Sequence, residues 1–202
     1  METQQPLYIS ISHRGEHTNE AITFITEVYK KVFSADPPPP ELLFVATRNE
    51  KVVGTLGIDY CDKKDGLLPL ERIYTFNRSK TPLPMASDKI VQLGRWISRE
   101  ANVTKPLAYI AMQYLLAHQK THGLFEQKGK AVQASKRTGT TLHPIENTTL
   151  NVDRVGDSVK EYYTSKPEPR LFMIDLKQSL DSMRRVAERS IKAGNVVVYS
   201  LA

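Results

Sequence analysis

Val91-Gln92-Leu93-Gly94-Arg95-Trp96-Ile97-Ser98 carries two polar side chains, Gln92 and Arg95, inside an otherwise apolar strand pattern. Burying such groups is costly unless partners or a substrate meet them. Strand period two puts residues three apart on opposite faces. The glycine between them admits a bulge, which re-aims one side chain and splays the strand from its neighbour. Upstream lies an apolar hairpin, Leu42 to Tyr60; downstream come a long amphipathic helix and a short expected strand, Lys130 to Lys136. This combination is what a ligand cleft between two strands of an α/β sheet requires.

Working outward, Leu7 to Ser12 alternates as a first strand. Asn19 is the expected cap of a helix to about Phe33, with Ile22, Ile25, Val28, Tyr29, Val32 and Phe33 as its apolar stripe. Pro37 to Pro40 end it in an extended loop. Leu42 to Thr47 and Lys51 to Tyr60 read as strands, with Val52, Gly54, Leu56, Ile58 and Tyr60 on one face. Pro69 to Phe76 reads as a short helix and Asn77 to Ser87 as irregular. Thr104 is the expected cap of the next helix, with Pro106 in its first turn and Gly123 just past its end. Ala131 to Ser135 is read as a short strand, and a right-handed crossover makes it the parallel neighbour of the Gln92 strand. Thr149 to Arg154 and Arg170 to Asp175 follow as strands, then a helix from Ser179 to Ala193 stopping at Gly194, then a strand from Asn195 to Leu201.

The chain has 202 residues, enough for one domain with a real core. Its 40% hydrophobic and 25% charged residues are those of an ordinary globular protein. No secretory signal is visible in Met1-Glu2-Thr3-Gln4-Gln5 and no apolar run reaches membrane-spanning length, so a cytoplasmic location is expected. One cysteine, Cys61, excludes an internal disulfide framework and a multi-cysteine zinc site. A net charge of +6 favours acidic partners, but no nucleic-acid-binding motif is present. Lys128, Lys130, Lys136 and Arg137 cluster at the short expected strand, and Arg184, Arg185, Arg189 and Lys192 lie along the last helix. Such patches suit an acidic carrier protein or a phosphate-bearing donor. His118 and His122 stand at helical four-residue spacing without the glutamate of a zinc-peptidase pattern, so no metal is expected.

Three segments carry a family resemblance. Lys51-Val52-Val53-Gly54-Thr55-Leu56-Gly57 looks like the third strand of the GNAT acyltransferases. Gly66-Leu67-Leu68-Pro69-Leu70-Glu71 is similar to a Leu-Pro segment that acyl-homoserine-lactone (autoinducer) synthases and long-chain N-acyl amino acid synthases place before their fourth strand. Gln92-Leu93-Gly94-Arg95-Trp96 resembles their Glu-x-Ser/Gly-Arg-aromatic motif. The likeness runs from about Leu7 to Lys136. It implies one GNAT-like acyltransferase domain over 1–202, with 1–136 as the matched core and 137–202 as C-terminal strands and helix. The implied fold is α/β (α+β): a mixed central sheet, helices on both faces, and a splayed parallel pair of strands forming an acyl cleft.

The resemblance implies N-acyl transfer from an acyl-phosphopantetheine thioester to a small amine, with no permanently bound cofactor, no nucleic acid and no membrane span. Gln92 stands where the family has a glutamate that takes a proton from the amine; an amide only orients by hydrogen bonds. Glu71 and Glu100 are the nearest carboxylates in sequence. The CoA-pyrophosphate loop of acetyl-CoA users is absent too: Arg99-Glu100-Ala101-Asn102-Val103-Thr104-Lys105-Pro106 has no glycine, and its proline removes an amide donor. Acyl carrier protein is therefore the expected donor and partner, with CoA as the alternative. The expected catalytic residues are Gln92, Arg95 and Glu71. Trp96, Ser135, Lys136 and Arg137 are the expected substrate-binding residues, the last two for the donor phosphate. A non-catalytic module that binds carrier or fatty acid is the reading from another class.

Overall fold

A computed structural model describes residues 5–77, 80–81, 86–192 and 196–200. The expected N-terminal segment, the irregular stretch to Ser87, the Gly194 stop and the last strand's end at Leu201 lie wholly or partly outside these residues. The elements are β1 (Leu7–His13), α1 (Asn19–Phe33), β2 (Leu42–Arg48), β3 (Lys51–Tyr60), α2 (Pro69–Ile73), β4 (Tyr74–Thr75), β5 (Ile90–Ser98) and α3 (Thr104–Ala117). They continue with β6 (His122–Gln127), α4 (Gly129–Thr138), β7 (Leu142–Pro144), β8 (Thr149–Leu150), α5 (Asp157–Thr164), β9 (Arg170–Asp175), α6 (Leu176–Lys192) and β10 (Val196–Ser200). One mixed sheet runs β10-β1-β2-β3-β5-β6-β9-β7. The C-terminal strands thus lie at both ends of the sheet that the N-terminal hairpin begins.

Period two sends alternate side chains to opposite faces, and each face has its own helices. Phe44, Leu56, Ile58, Leu93 and Phe125 pack with Leu107, Ala111 and Leu115 of α3 and with Leu180 and Met183 of α6. On the other face Leu43, Val45 and Val52 meet Ala21, Phe24 and Ile25 of α1. Further along that face, Ile90 and Leu124 pack with Leu70 of α2, Tyr74 and Tyr163 of α5. Burying one such leucine or phenylalanine contributes about 1.5–3 kcal/mol. Strands apolar on both faces, such as β2 and β5, are therefore central in this sheet.

Several expectations are corrected. Residues 131–135 are helical, within α4, and the parallel neighbour of β5 is β6. A five-residue Ala-Val-Gln-Ala-Ser run has no decisive period, and Gly139, at φ 96, is the left-handed stop of a helix. Gly123 is no helix cap: it sits in β6, where a Cβ would lie 2.5 Å from Leu93 Cδ1, so glycine lets the two strands close. His118 caps α3 and His122 opens β6, so they do not share a helix. Thr18 rather than Asn19 caps α1, its hydroxyl accepting from Ala21 N, and Val103 rather than Thr104 precedes α3. A register shift leaves Val53 as the extra residue of β3, which turns Val52 to the α1 face, away from Leu56 and Ile58. The helix at Pro69 ends at Ile73, and Thr149–Arg154 is a two-residue strand followed by a 3-10 turn. α5, with Val159, Tyr162 and Tyr163 at helical spacing, was hidden in a polar stretch.

Candidate active site

β5 and β6 pair in parallel from Ile90↔His122 to Leu93↔Phe125, and there the ladder ends. Beyond it β5 continues through Gly94 to Ser98 and β6 through Glu126 and Gln127, each held by its outer neighbour, β3 or β9. The gap opens onto a cavity of about 690 Å³. Its floor is the splay, its walls come from α1, α2 and α5, and Pro37, Pro38 and Pro39 form one rim. A cavity of this size, mostly apolar with a few polar groups, suits a small ligand.

The bulge expected in β5 is present, one residue further on. Gly57 pairs with Gly94 and Thr55 with Ile97, so Arg95 and Trp96 together oppose Leu56. The left-handed conformation falls on Arg95, φ 47, and not on the glycine. Such a backbone costs of order 1–3 kcal/mol and persists only when surroundings over-determine it. Here they do. Thr55 Oγ1 donates to the Arg95 carbonyl at 2.9 Å. Arg95 Nη1 meets Asp59 Oδ2 at 2.5 Å, and Nε and Nη2 donate to the Pro38 carbonyl at 3.2 and 2.7 Å. Gly57 makes room for the side chain: a Cβ there would sit 3.2 Å from Arg95 Cδ and 2.9 Å from Pro40 Cγ. Arg95 thus reaches the face of Gln92 and Asp59, and its guanidinium ties the proline rim to the sheet.

Gln92 lines the cavity, buried, and its Oε1 accepts from Leu70 N at 2.8 Å, supporting the first turn of α2 from outside the helix. Its amide NH2 is the group left for a ligand. Glu71, an expected catalytic residue, is not among the cavity-lining residues. Its Oε2 accepts from Leu68 N at 3.0 Å, as an acid three residues into a helix does. Glu100 pairs with Arg48 at the far end of β5.

Two carboxylates line the cavity: Asp36, at the proline rim, is half-exposed and paired with Lys30, whereas Glu126, which the sequence pattern did not single out, is on the wall at the splay. Ile90, Gln92 and Gly94 share one face of β5, and Leu124 and Glu126 share the same face of β6. Glu126 therefore stands one pleat beyond the register partner of Gln92. Its Oε1 accepts from the Tyr163 hydroxyl at 2.7 Å. The Tyr74 hydroxyl lies toward the same carboxylate, but neither it nor Glu126 Oε2 completes a hydrogen bond of good geometry. Burial pushes the Glu126 carboxyl up to about 7, against the lowering influence of the Tyr163 hydrogen bond, Arg95, Tyr74 and Lys128. Trp96 Nε1 and Gln127 Oε1, also on cavity residues, are buried without partners. Proteins leave few such atoms unsatisfied, and a bound ligand or a water completes those that remain.

Trp96 lines the cavity, its ring 5.7 Å from that of Phe125. Ser135, Lys136 and Arg137 do not line it. Ser135 is buried in α4, and Lys136 and Arg137 are exposed in its last turn, where cations complement the helix dipole. The expected strand exit into the cleft is absent because the segment is helical. The lysine at the site is Lys128, whose Nζ donates to Ser165 O at 2.8 Å and lies 4.7 Å from the Tyr162 ring centre. Tyr29 also lines the cavity, and burial raises its hydroxyl to about 12. Among the described residues no group of histidine, cysteine or carboxylate side chains is arranged to hold a metal.

No protein-family model and no curated protein sequence matches this chain. Solved structures do. The AHL synthase LasI superposes with a TM-score of 0.58 at 11% identity, over 85% of this chain and 91% of that one. TofI in an apo form gives 0.56 at 13% identity, over 87% and 95%. BjaI, a CoA-dependent acyl-homoserine lactone synthase solved with MTA, gives 0.61 at 10% identity, over 98% and 93%; it has also been solved with SAM and isopentyl-CoA. At these identities the likeness is one of fold. The GNAT-like α/β sheet implied by the motifs is the fold observed, of the kind seen in the autoinducer synthases.

Proposed function

We propose that this protein is an N-acyltransferase that moves an acyl chain from a phosphopantetheine thioester to a small amine in the β5–β6 cleft. The observation that carries this reading is the splay beyond Leu93 and Phe125, which opens on a 690 Å³ cavity holding an amide, a carboxylate and aromatic walls. The acyl chain lies along the apolar wall formed by Leu93, Trp96 and Phe125. The amine approaches from the side of Gln92, whose free NH2 orients it. The thioester carbonyl lies along the edge of β5 past Leu93, which no longer pairs with β6, where preorganised backbone donors stabilise a developing oxyanion. Arg95 acts by holding the rim, since its guanidinium is already occupied.

Acyl carrier protein is the proposed donor. The support is the net charge of +6 and an α3 entry, Arg99 to Pro106, without glycine for a pyrophosphate. A CoA donor is the second reading, favoured by the likeness to BjaI, a CoA-dependent enzyme. Purified protein should release thiol from octanoyl-acyl carrier protein in the presence of SAM or free amino acids, faster than from octanoyl-CoA, with a new N-octanoyl product by mass spectrometry. Better turnover of octanoyl-CoA selects the second reading. Carrier binding without product in any pairing selects the non-catalytic module. Gly94→Leu ties the activity to the cavity: a Cβ at Gly94 meets nothing within 4 Å, so a longer side chain fills the cleft. Activity should vanish while thermal unfolding stays near the parent's; retained activity would move the site elsewhere.

A further inference from the structure

The proposed reaction needs a proton acceptor, and position 92 holds an amide. A carboxylate lies on the same face of the sheet, on the neighbouring strand. Glu126 lines the cavity one residue past the last β5–β6 pair, Leu93↔Phe125, and at the same step on β5 stands Gly94, where a Cβ would meet nothing within 4 Å. Tyr163 holds one oxygen at 2.7 Å; the other is buried, with the Tyr74 hydroxyl lying toward the carboxylate but no hydrogen bond of good geometry completed. An acceptor with one oxygen anchored and one still able to take a proton has the geometry of a general base. Both neighbouring cations act on it at a distance, but neither forms an ion pair with it. Arg95 is taken by Asp59 and Pro38, and Lys128 by Ser165. The remaining titratable groups turned toward it are phenols, Tyr74, Tyr29 and Tyr162, with Glu168 further off beside Tyr74 and Lys128.

We infer that Glu126 is the general base of this site, its carboxylate displaced from β5 to the same face of β6. The inference rests on the acyl-transfer reading above. In the step assigned to it, the neutral amine nitrogen bonds to the thioester carbon and the carbon–sulfur bond breaks. One amine proton passes to Glu126 Oε2 and from there to the leaving thiolate, giving amide and free thiol. An amine that arrives protonated releases one further proton to solvent. Burial that lifts the carboxyl to about 7 gives a base matched to neutral pH.

The test uses octanoyl-acyl carrier protein and octanoyl-CoA as donors, with SAM and free amino acids as acceptors. The parent's kcat/KM should rise with pH along an acid limb near 7. Glu126→Gln preserves shape and the acceptor for Tyr163; it should lose about 100-fold or more in kcat, keep octanoyl-donor binding, and lose that limb. Glu126→Asp retains a carboxylate and should retain the limb at reduced kcat. Unchanged kcat in E126Q, or a limb that survives in E126Q, overturns the role of Glu126 and leaves acyl transfer standing. No transfer by the parent from either donor to any acceptor overturns the acyl-transfer reading itself, and this assignment with it.

Discussion

Residues 92 and 95 illustrate how one face of one strand is divided between architecture and chemistry. Gln92 spends its oxygen on the Leu70 amide, and a glutamate could do the same. Glutamate would also put a second carboxylate one pleat from Glu126, and like charges in one site push a carboxyl pKa up. Gln92→Glu should therefore move the acid limb of the rate profile above 7 and slow turnover near neutral pH, while approaching the parent's rate at higher pH. From the sequence alone the opposite is expected, a gain from restoring a base; a gain at neutral pH would return the base role to position 92. Arg95 is buried with Asp59 and the Pro38 carbonyl. Arg95→Ala strands a buried charge and should cost about 3–5 kcal/mol in denaturant unfolding. Adding Asp59→Asn should recover part of that loss, since the two sites are coupled; an additive double variant would deny the pair its structural role.

At the level of elements, the segment 129–138 matters most. As a helix it carries Lys136 and Arg137 away from the cavity, on an exposed last turn. Their effect on the donor then depends on a large docking partner. Lys136→Glu with Arg137→Glu should leave turnover of octanoyl-pantetheine unchanged and raise KM for octanoyl-acyl carrier protein, an effect that fades as salt screens the patch. Reversing charge at a helix C-terminus costs about 0.3–1 kcal/mol per residue, too little to unfold the protein. Equal KM values for the carrier in parent and double variant would make this turn an ordinary solvated surface. The proline rim is the other element with a role: it has no ladder to join, and Arg95 holds it against β3.

Across the whole molecule, the buried carboxyl of Glu126 links folding to pH. Its folded pKa, about 7, stands above the ordinary 4.5. The folded state thus binds more protons than the unfolded chain in that window, and stability falls as pH rises through it. The contribution is fully present below about 4.5 and lost above about 7. Glu126→Gln removes the titration, so its stability should decline less than the parent's between pH 5 and pH 8. The difference should be on the order of 1–3 kcal/mol, reduced by the side chain's partial exposure. Parallel pH dependences in urea unfolding would mean that the carboxyl is ionised like any surface glutamate.

The sequence alone determined the framework. The alternation of β1, the apolar runs of β2, β3 and β5, the helices α1 and α3 and the proline break follow from side-chain periods and backbone sterics, which act locally. The stripes are less exact: Val32 of α1 is exposed while Ala21 and Phe24 are buried, and α3 is buried without a break from Pro106 to Met112. The polar pair with its glycine also announced a bulge before any strand pairing was known, and Gln92, Arg95 and Trp96 do line the cavity. What escaped depends on contacts between distant segments. Glu126 lies in His122–Gln127, a short run with no decisive period, and only its register against β5 and β9 makes it a strand. The true partner of β5 followed from that same pairing, and it lies about eight or nine residues before the expected one. Tyr163 and Tyr74 reach the carboxylate from elements remote in sequence. Glu71 was adjacent to the site in sequence, yet its carboxylate is drawn to the nearest unpaired amide, at the start of its own helix. Local forces set the strands; pairing and burial decided which carboxylate faces the cavity.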